Sequence, residues 1–146
     1  MSAALGSGPT NDAVRPQPVD TRGAPSPAGH YVQASVCQNL VFVSGQLPVL
    51  RDGGHQPDAS FAAQARQALA NLLAIVEAAG SSRTQVLKVT AYIVGVENWP
   101  AFNAVYREMF GEARPARTVV PVPELHYGYL VEVDAIATAI PIASDG

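Results

Sequence analysis

The stretch Pro115–Ile140, PARTVVPVPELHYGYLVEVDAIATAI, decides the fold. From Tyr129 onward it alternates as a strand does: Tyr129, Val131, Val133, Ala135 and Ala137 share one face, and Leu130, Glu132, Asp134, Ile136 and Thr138 share the other. Glu132 therefore sits between an apolar residue and a second acid. Upstream, a Pro-Ala-Arg turn holds Arg117 at the start of TVVPVP, whose Pro121 and Pro123 remove two N–H donors from one side of a strand. That side cannot be ladder-paired there. A fixed cation followed by a desolvated carboxylate makes a candidate site.

The segments before this stretch supply the layers it needs. Asn98 caps a helix that tolerates Pro100 in its first turn, buries Phe102, Val105, Tyr106, Met109 and Phe110, and ends at Gly111. Trp99 beside the cap is expected as a packing anchor. Val86–Val94 alternates, with Leu87, Val89, Ala91 and Ile93 facing one way and Lys88, Thr90 and Tyr92 the other. Between Asp58, an N-cap residue, and Gly80, a stop, Phe61, Ala65, Ala68, Leu69, Leu72, Ile75, Val76 and Ala79 form one apolar helical stripe. HYVQASV and LVFVSGQLPV, joined through Cys37, Gln38 and Asn39, form a hairpin whose second strand is apolar on both sides until Ser44 and Gly45. Residues 1–28 hold five prolines, three glycines and few large apolar side chains, and are expected as a flexible arm that does not join the core.

Residues 29–142 then form a single domain in the order strand, strand, helix, strand, helix, strand, strand. This is an α+β architecture, a mixed sheet with both helices on one face. The other face, apolar in several strands, has no helix left to cover it. With only 14% charged residues in the chain, a second copy is the expected cover.

Composition narrows the function classes. A chain of 146 residues buries about two thirds of its unfolded surface around one core. A net charge of -3, with nine basic residues scattered rather than clustered, disfavours nucleic acid and anionic membranes as partners. Cys37 is the only cysteine, so an intrachain disulfide is excluded and a reducing compartment fits best. With no apolar run of membrane-spanning length, a cytoplasmic location is expected. His30, His55 and His126 lack metal-ligand spacing, so no metal is expected. No Gly-rich phosphate loop or nucleophile elbow is present.

The residues alone leave the candidate site open. Arg117 is either a fork for a carboxylate or half of a structural ion pair. Glu132, costly to bury ionised, is either a general base or the partner of a lysine or arginine. Asp134, about 7 Å further along the same face, favours a structural role. His126-Tyr127-Gly128-Tyr129 is either an exposed connection or a pocket wall.

Taken together, GHYVQA, VFVSGQLPV, QARQALANLLAIVEAAG, VLKVTAYIV, FNAVYREMFG and PARTVVPV with LVEVDAIA resemble the RidA family, the reactive-intermediate imine deaminases of YjgF or L-PSP type. The likeness runs over about residues 24–140, and Pro-Ala-Arg-Thr followed by Val-Glu-Val-Asp is its most specific part. The resemblance implies a homotrimer of chorismate-mutase-like subunits whose sheets form an internal barrel, with active sites between subunits. It implies a hydrolase of the 2-iminobutanoate/2-iminopropanoate deaminase type, turning 2-aminoacrylate and related enamines and imines into 2-keto acids and ammonia without cofactor or metal. Arg117 falls on the family arginine that grips the substrate carboxylate, and Glu132 on the acid that positions the attacking water. Tyr31, Ser44, Gly45 and Asn103 fall on residues that border the pocket. Val119 stands where many members carry a cysteine, leaving only its backbone N–H to contribute.

The segment Pro121–Tyr129, with two prolines and HYGY, also departs from the family run and points to a bulkier substrate. A pathway-specific enzyme on another intermediate is therefore the first alternative. A non-catalytic ligand-binding or chaperone-like trimer is the second, and a ribonuclease, lacking a basic groove, ranks last.

Overall fold

The computed structural model describes residues 14–139. Along the chain lie strands β1 (Gln17–Val19), β2 (Ala34–Cys37) and β3 (Leu40–Gln46), helix α1 (Phe61–Ala78), β4 (Val86–Val94), helix α2 (Trp99–Phe110), β5 (Ala116–Val122) and β6 (Val131–Thr138). They build one six-stranded sheet in the order β1-β2-β3-β6-β4-β5. The alternating strand of the opening stretch is thus interior, antiparallel to β3 on one side and β4 on the other. α2 carries the chain from β4 to β5, which pair in parallel and make the sheet mixed. Pro121 is accommodated because β5 is an edge strand with one side unpaired.

Both helices pack on the face that buries Val41, Val43, Val89, Ala91, Ile93, Val131, Val133, Ala135 and Ala137. α1 contributes Leu69, Leu72, Ile75 and Val76 to that core, and α2 contributes Phe102, Val105 and Phe110. The opposite face is open: Leu40 and Phe42 are 37% and 46% exposed, whereas Val41 and Val43 beside them are 0% and 5%. The α+β reading, the helical layer and the uncovered apolar face all follow the sequence expectation.

Several local expectations are corrected. Helix α1 starts two residues later than expected, because Ser60 rather than Asp58 is the cap and its Oγ accepts from Ala63 N at 3.2 Å. Asn98 occupies the cap position of α2 but uses its side chain elsewhere, its Nδ2 donating to Val94 O at 2.9 Å. Leu87 does not share a face with Val89: the pairing with β6 steps from Val86 to Lys88 across a bulge, so Val86 is buried and Leu87 is 47% exposed.

The arm is the largest correction. Residues 1–13 and 140–146 lie outside the described residues, but from Gln17 onward the expected arm is part of the fold. β1 pairs with β2, and Ala24 is buried in the core. The cause is Gln33, itself buried, whose Oε1 accepts from Thr21 N at 2.7 Å and whose Nε2 donates to the carbonyls of Thr21, Ala24 and Pro25 at 3.0, 3.3 and 3.0 Å. A proline-rich segment with few apolar side chains is ordered here by hydrogen bonds to one amide rather than by burying area.

Candidate active site

Two more buried amides hold the loops that surround the open face. Asn71 on α1 donates to Leu47 O at 3.1 Å and Val49 O at 2.8 Å. Gln64, two turns earlier on the same helix face, donates to Pro57 O and Ala59 O at 3.1 and 3.0 Å and accepts from Leu130 N at 2.9 Å. With Gln33, these side chains fix segments 21–29 and 47–59 around a cleft of about 750 Å³. Tyr31, Ser44, Gly45 and Glu132 line it together.

Its floor is a bulge. Val43 pairs with Ala135 but Gln46 with Val133, so β3 carries one extra residue at Ser44–Gly45 opposite β6. Ser44 is fixed by its Oγ donating to Val32 O at 2.6 Å and by its N–H donating to Gln33 O at 2.9 Å. The Glu132 carboxylate lies over Gly45, where a β-carbon would stand 3.2 Å from its Cδ and 3.3 Å from its Oε2. A β-carbon there would be a tight contact that the carboxylate could relieve only by giving way a few tenths of an ångström. Burial pushes the Glu132 carboxyl above its ordinary range, with His126 opposing and Asp134 adding to the rise. Burial likewise raises Asp134, against the hydrogen bond from Tyr92 Oη at 3.4 Å and the charge of Lys88. Among the described residues, no lysine or arginine forms an ion pair with Glu132.

Arg117 is on the other side of the sheet. It pairs with Val89, a buried residue of the helical face, whereas Glu132 pairs with Tyr92 of the open face. Its guanidinium rests 4.8 Å from the Tyr106 ring and 5.8 Å from the Phe102 ring of α2, and its Nη1 donates to Asn103 Oδ1 at 3.1 Å. Burial pushes the Tyr106 hydroxyl up to about 12, opposed by Arg117. The ring is therefore a neutral platform for the cation across the physiological range. Arg117, Asn103 and Trp99, 52% exposed, form a separate groove with Val96, Glu97 and Pro100. Trp99 is thus a groove wall rather than the packing anchor expected from sequence. No carboxylate among the described residues makes an ion pair with Arg117.

The chain thus brings Tyr31, Ser44, Gly45 and Glu132 together, and separately Asn103 and Arg117. Val119, expected at the pocket, packs against the core. The cleft also takes in Pro25–Gly29 and His55, which the sequence does not single out as site residues, and His126 and Tyr127, for which it leaves a pocket wall open. No group of three or more His, Cys, Asp or Glu among the described residues is placed to hold a metal ion. No helix among them is long and apolar enough to cross a membrane.

Comparison with known proteins identifies the family. The profile of the family described as Endoribonuclease L-PSP matches residues 21–139. The chain belongs to that family. This L-PSP (RidA, YjgF) family member is 39% identical over 122 residues to the 2-iminobutanoate/2-iminopropanoate deaminase of Escherichia coli, covering 82% of this chain and 94% of that one. It is 42% identical over 117 residues to a RutC family protein of Pyrococcus horikoshii, covering 80% and 93%. Among solved structures, E. coli TdcF with bound serine superposes with a TM-score of 0.80 at 37% identity, covering 84% of this chain and 98% of that one. The L-PSP fold and the family read from the sequence are therefore established.

Proposed function

We propose that the protein is a hydrolytic deaminase converting carboxylate-bearing imines and enamines to 2-keto acids and ammonia, at a site shared by two subunits. One observation carries this reading. Arg117 and Glu132 occupy opposite faces of one sheet, each without an ionic partner among the described residues, so neither charge is neutralised by an ion pair there and each half-site lacks what the other holds. A neighbouring copy packed on the open face, over Leu40, Phe42 and Ile136, sets Arg117 of the partner subunit toward the Glu132 cleft. The resulting closed assembly is a homotrimer. The E. coli relative named as an imine deaminase supports the chemistry.

The residues divide the reaction between them. The Arg117 fork takes the substrate carboxylate in two parallel hydrogen bonds and fixes the imine carbon. Asn103 keeps the guanidinium in place. Glu132, held over Gly45 and partly desolvated, takes a proton from water as the oxygen adds to the imine carbon. The nitrogen receives that proton to give a carbinolamine; the hydroxyl then gives up its remaining proton, a second proton reaches nitrogen through Glu132, the C–N bond breaks, ammonia leaves and the carbon–oxygen double bond forms. An enamine enters the same sequence after protonation at its β-carbon. Tyr31 and Ser44 border the cleft, and Val119 supports the Arg117 strand from the core side.

The test is keto-acid formation from 2-aminoacrylate generated in situ. Wild type should accelerate it over the buffer rate, Arg117→Ala should raise KM and Glu132→Gln should depress kcat. Turnover by the wild type equal to the blank would sink the proposal.

A further inference from the structure

One wall of the cleft beside Glu132 is built of rings. Tyr129, 1% exposed, is the buried foundation: its hydroxyl meets His55 Nδ1 at 3.0 Å and accepts from Gln56 N at 3.1 Å. The His55 ring stacks over Tyr129 at 5.8 Å, and Tyr127 rests on His55 at 4.5 Å. Tyr127 closes the group edge-on to Tyr129 at 6.3 Å. The backbone turns out of line to present it, with φ of +63 at Tyr127 and +77 at Gly128. Few residues with a β-carbon adopt such a conformation. His126, Tyr127 and His55 all face the cleft, and Tyr127 remains 54% exposed. Tyr31, 50% exposed, lines the same cleft, and its hydroxyl accepts from Ala28 N at 3.3 Å.

We infer that the cleft takes imines with a flat aromatic side chain, held against His55 and Tyr127 while the reacting carbon lies at Glu132; this rests on the deaminase reading above. Rings pinned from beneath offer a rigid face with little side-chain freedom left to lose, which favours a planar group over a flexible one. An acidic side chain is the main rival, because Arg51 and two histidines also line the cleft. Asp52 beside Arg51 and Glu132 at the floor oppose it, and His55 Nδ1 is already engaged by Tyr129.

The experiment generates imines in situ with amino-acid oxidases from alanine, leucine, aspartate and phenylalanine, and compares wild type with Tyr127→Ala and His55→Ala. The phenylalanine imine should exceed the alanine imine in kcat/KM by about tenfold or more. Each substitution should cut that ratio about tenfold, with thermal unfolding confirming that the variants fold. A preference for the alanine or aspartate imine, or a ratio that neither substitution moves, overturns the inference while leaving the deaminase reading intact. Absence of turnover with every imine defeats the deaminase reading itself. Calorimetry with the stable keto acids phenylpyruvate and pyruvate then decides the pocket. Phenylpyruvate should bind about tenfold tighter and lose that margin in Tyr127→Ala, and equal affinities overturn the inference.

Discussion

Gly45→Ala places one methyl group against the proposed water-positioning acid. The new carbon would lie 3.2 Å from Glu132 Cδ and 3.3 Å from Oε2, where ordinary contacts between carbon atoms settle at about 3.5–4.0 Å. The carboxylate must therefore retreat by roughly 0.5 Å. Gly45 is not among the glycines with positive φ, so alanine meets no backbone strain and, by narrowing the unfolded ensemble, returns about 0.4–1 kcal/mol. The group that has to move is the end of a side chain. Stability should thus change by no more than about 1 kcal/mol, a Tm shift within about 4 °C. Catalysis should suffer more, because a displacement of about 1 Å at a reacting group costs about a hundredfold. Half of that gives about a tenfold loss in kcat, or about 1.4 kcal/mol. Steady-state turnover of the alanine imine and a melting curve read the two effects. A variant that melts normally and turns over at the wild-type rate would refute the role given to Glu132's position. A stability loss of several kcal/mol would show that backbone, not the carboxylate, receives the methyl.

Other substitutions probe the remaining parts. Arg117→Lys keeps the charge but loses the fork and its stacking on Tyr106, and should raise KM about five- to thirtyfold, about 1–2 kcal/mol in binding. Asn103→Ala, which frees Arg117 Nη1, should raise KM several-fold and leave kcat nearly unchanged. Because burial raises the Glu132 carboxyl, the acid limb of kcat/KM should lie above its ordinary value of 4.5, and Asp134→Asn, by removing a charge that adds to the rise, should move that limb to lower pH. The stability sign runs the opposite way from an ordinary paired carboxylate. Folded Glu132 binds its proton more readily than the unfolded chain, so Glu132→Gln should melt above wild type at pH 7 and lose the advantage below about pH 4.5. Gln33→Ala removes the amide that holds residues 21–25 and should cost about 2–3 kcal/mol, with faster proteolysis near Pro25.

What was legible in the sequence was whatever depends on apolar period. The faces of β6 are legible because its pattern runs unbroken from Tyr129, and the α1 stripe because its apolar residues repeat at helical steps. Leu87 departs from the periodic reading because a bulge changes register without changing composition. The order of the arm is illegible for a related reason: it comes from Gln33, and one glutamine just ahead of β2 gives no periodic signal. Gln64 and Asn71 carried a readable trace, two amides seven residues apart inside an apolar helix face. The residue types of the proposed site were legible in the family motif. Their division between two sheet faces was not, because it follows from the pairing of β5 with β4 and of β4 with β6. His55 reached the cleft through its hydrogen bond to Tyr129, a contact between loops far apart in sequence.

The shared site itself is tested most directly by mixing two inactive proteins. Arg117→Ala retains an intact Glu132 half, and Glu132→Gln retains an intact Arg117 half. Dissociated, combined in equal amounts and reassembled, they should regain about a quarter of wild-type kcat, since about one interface in four joins two intact halves in a cyclic assembly. Activity that stays at the level of the separate variants, in mixtures shown to have exchanged subunits, would contradict a site built across the subunit boundary.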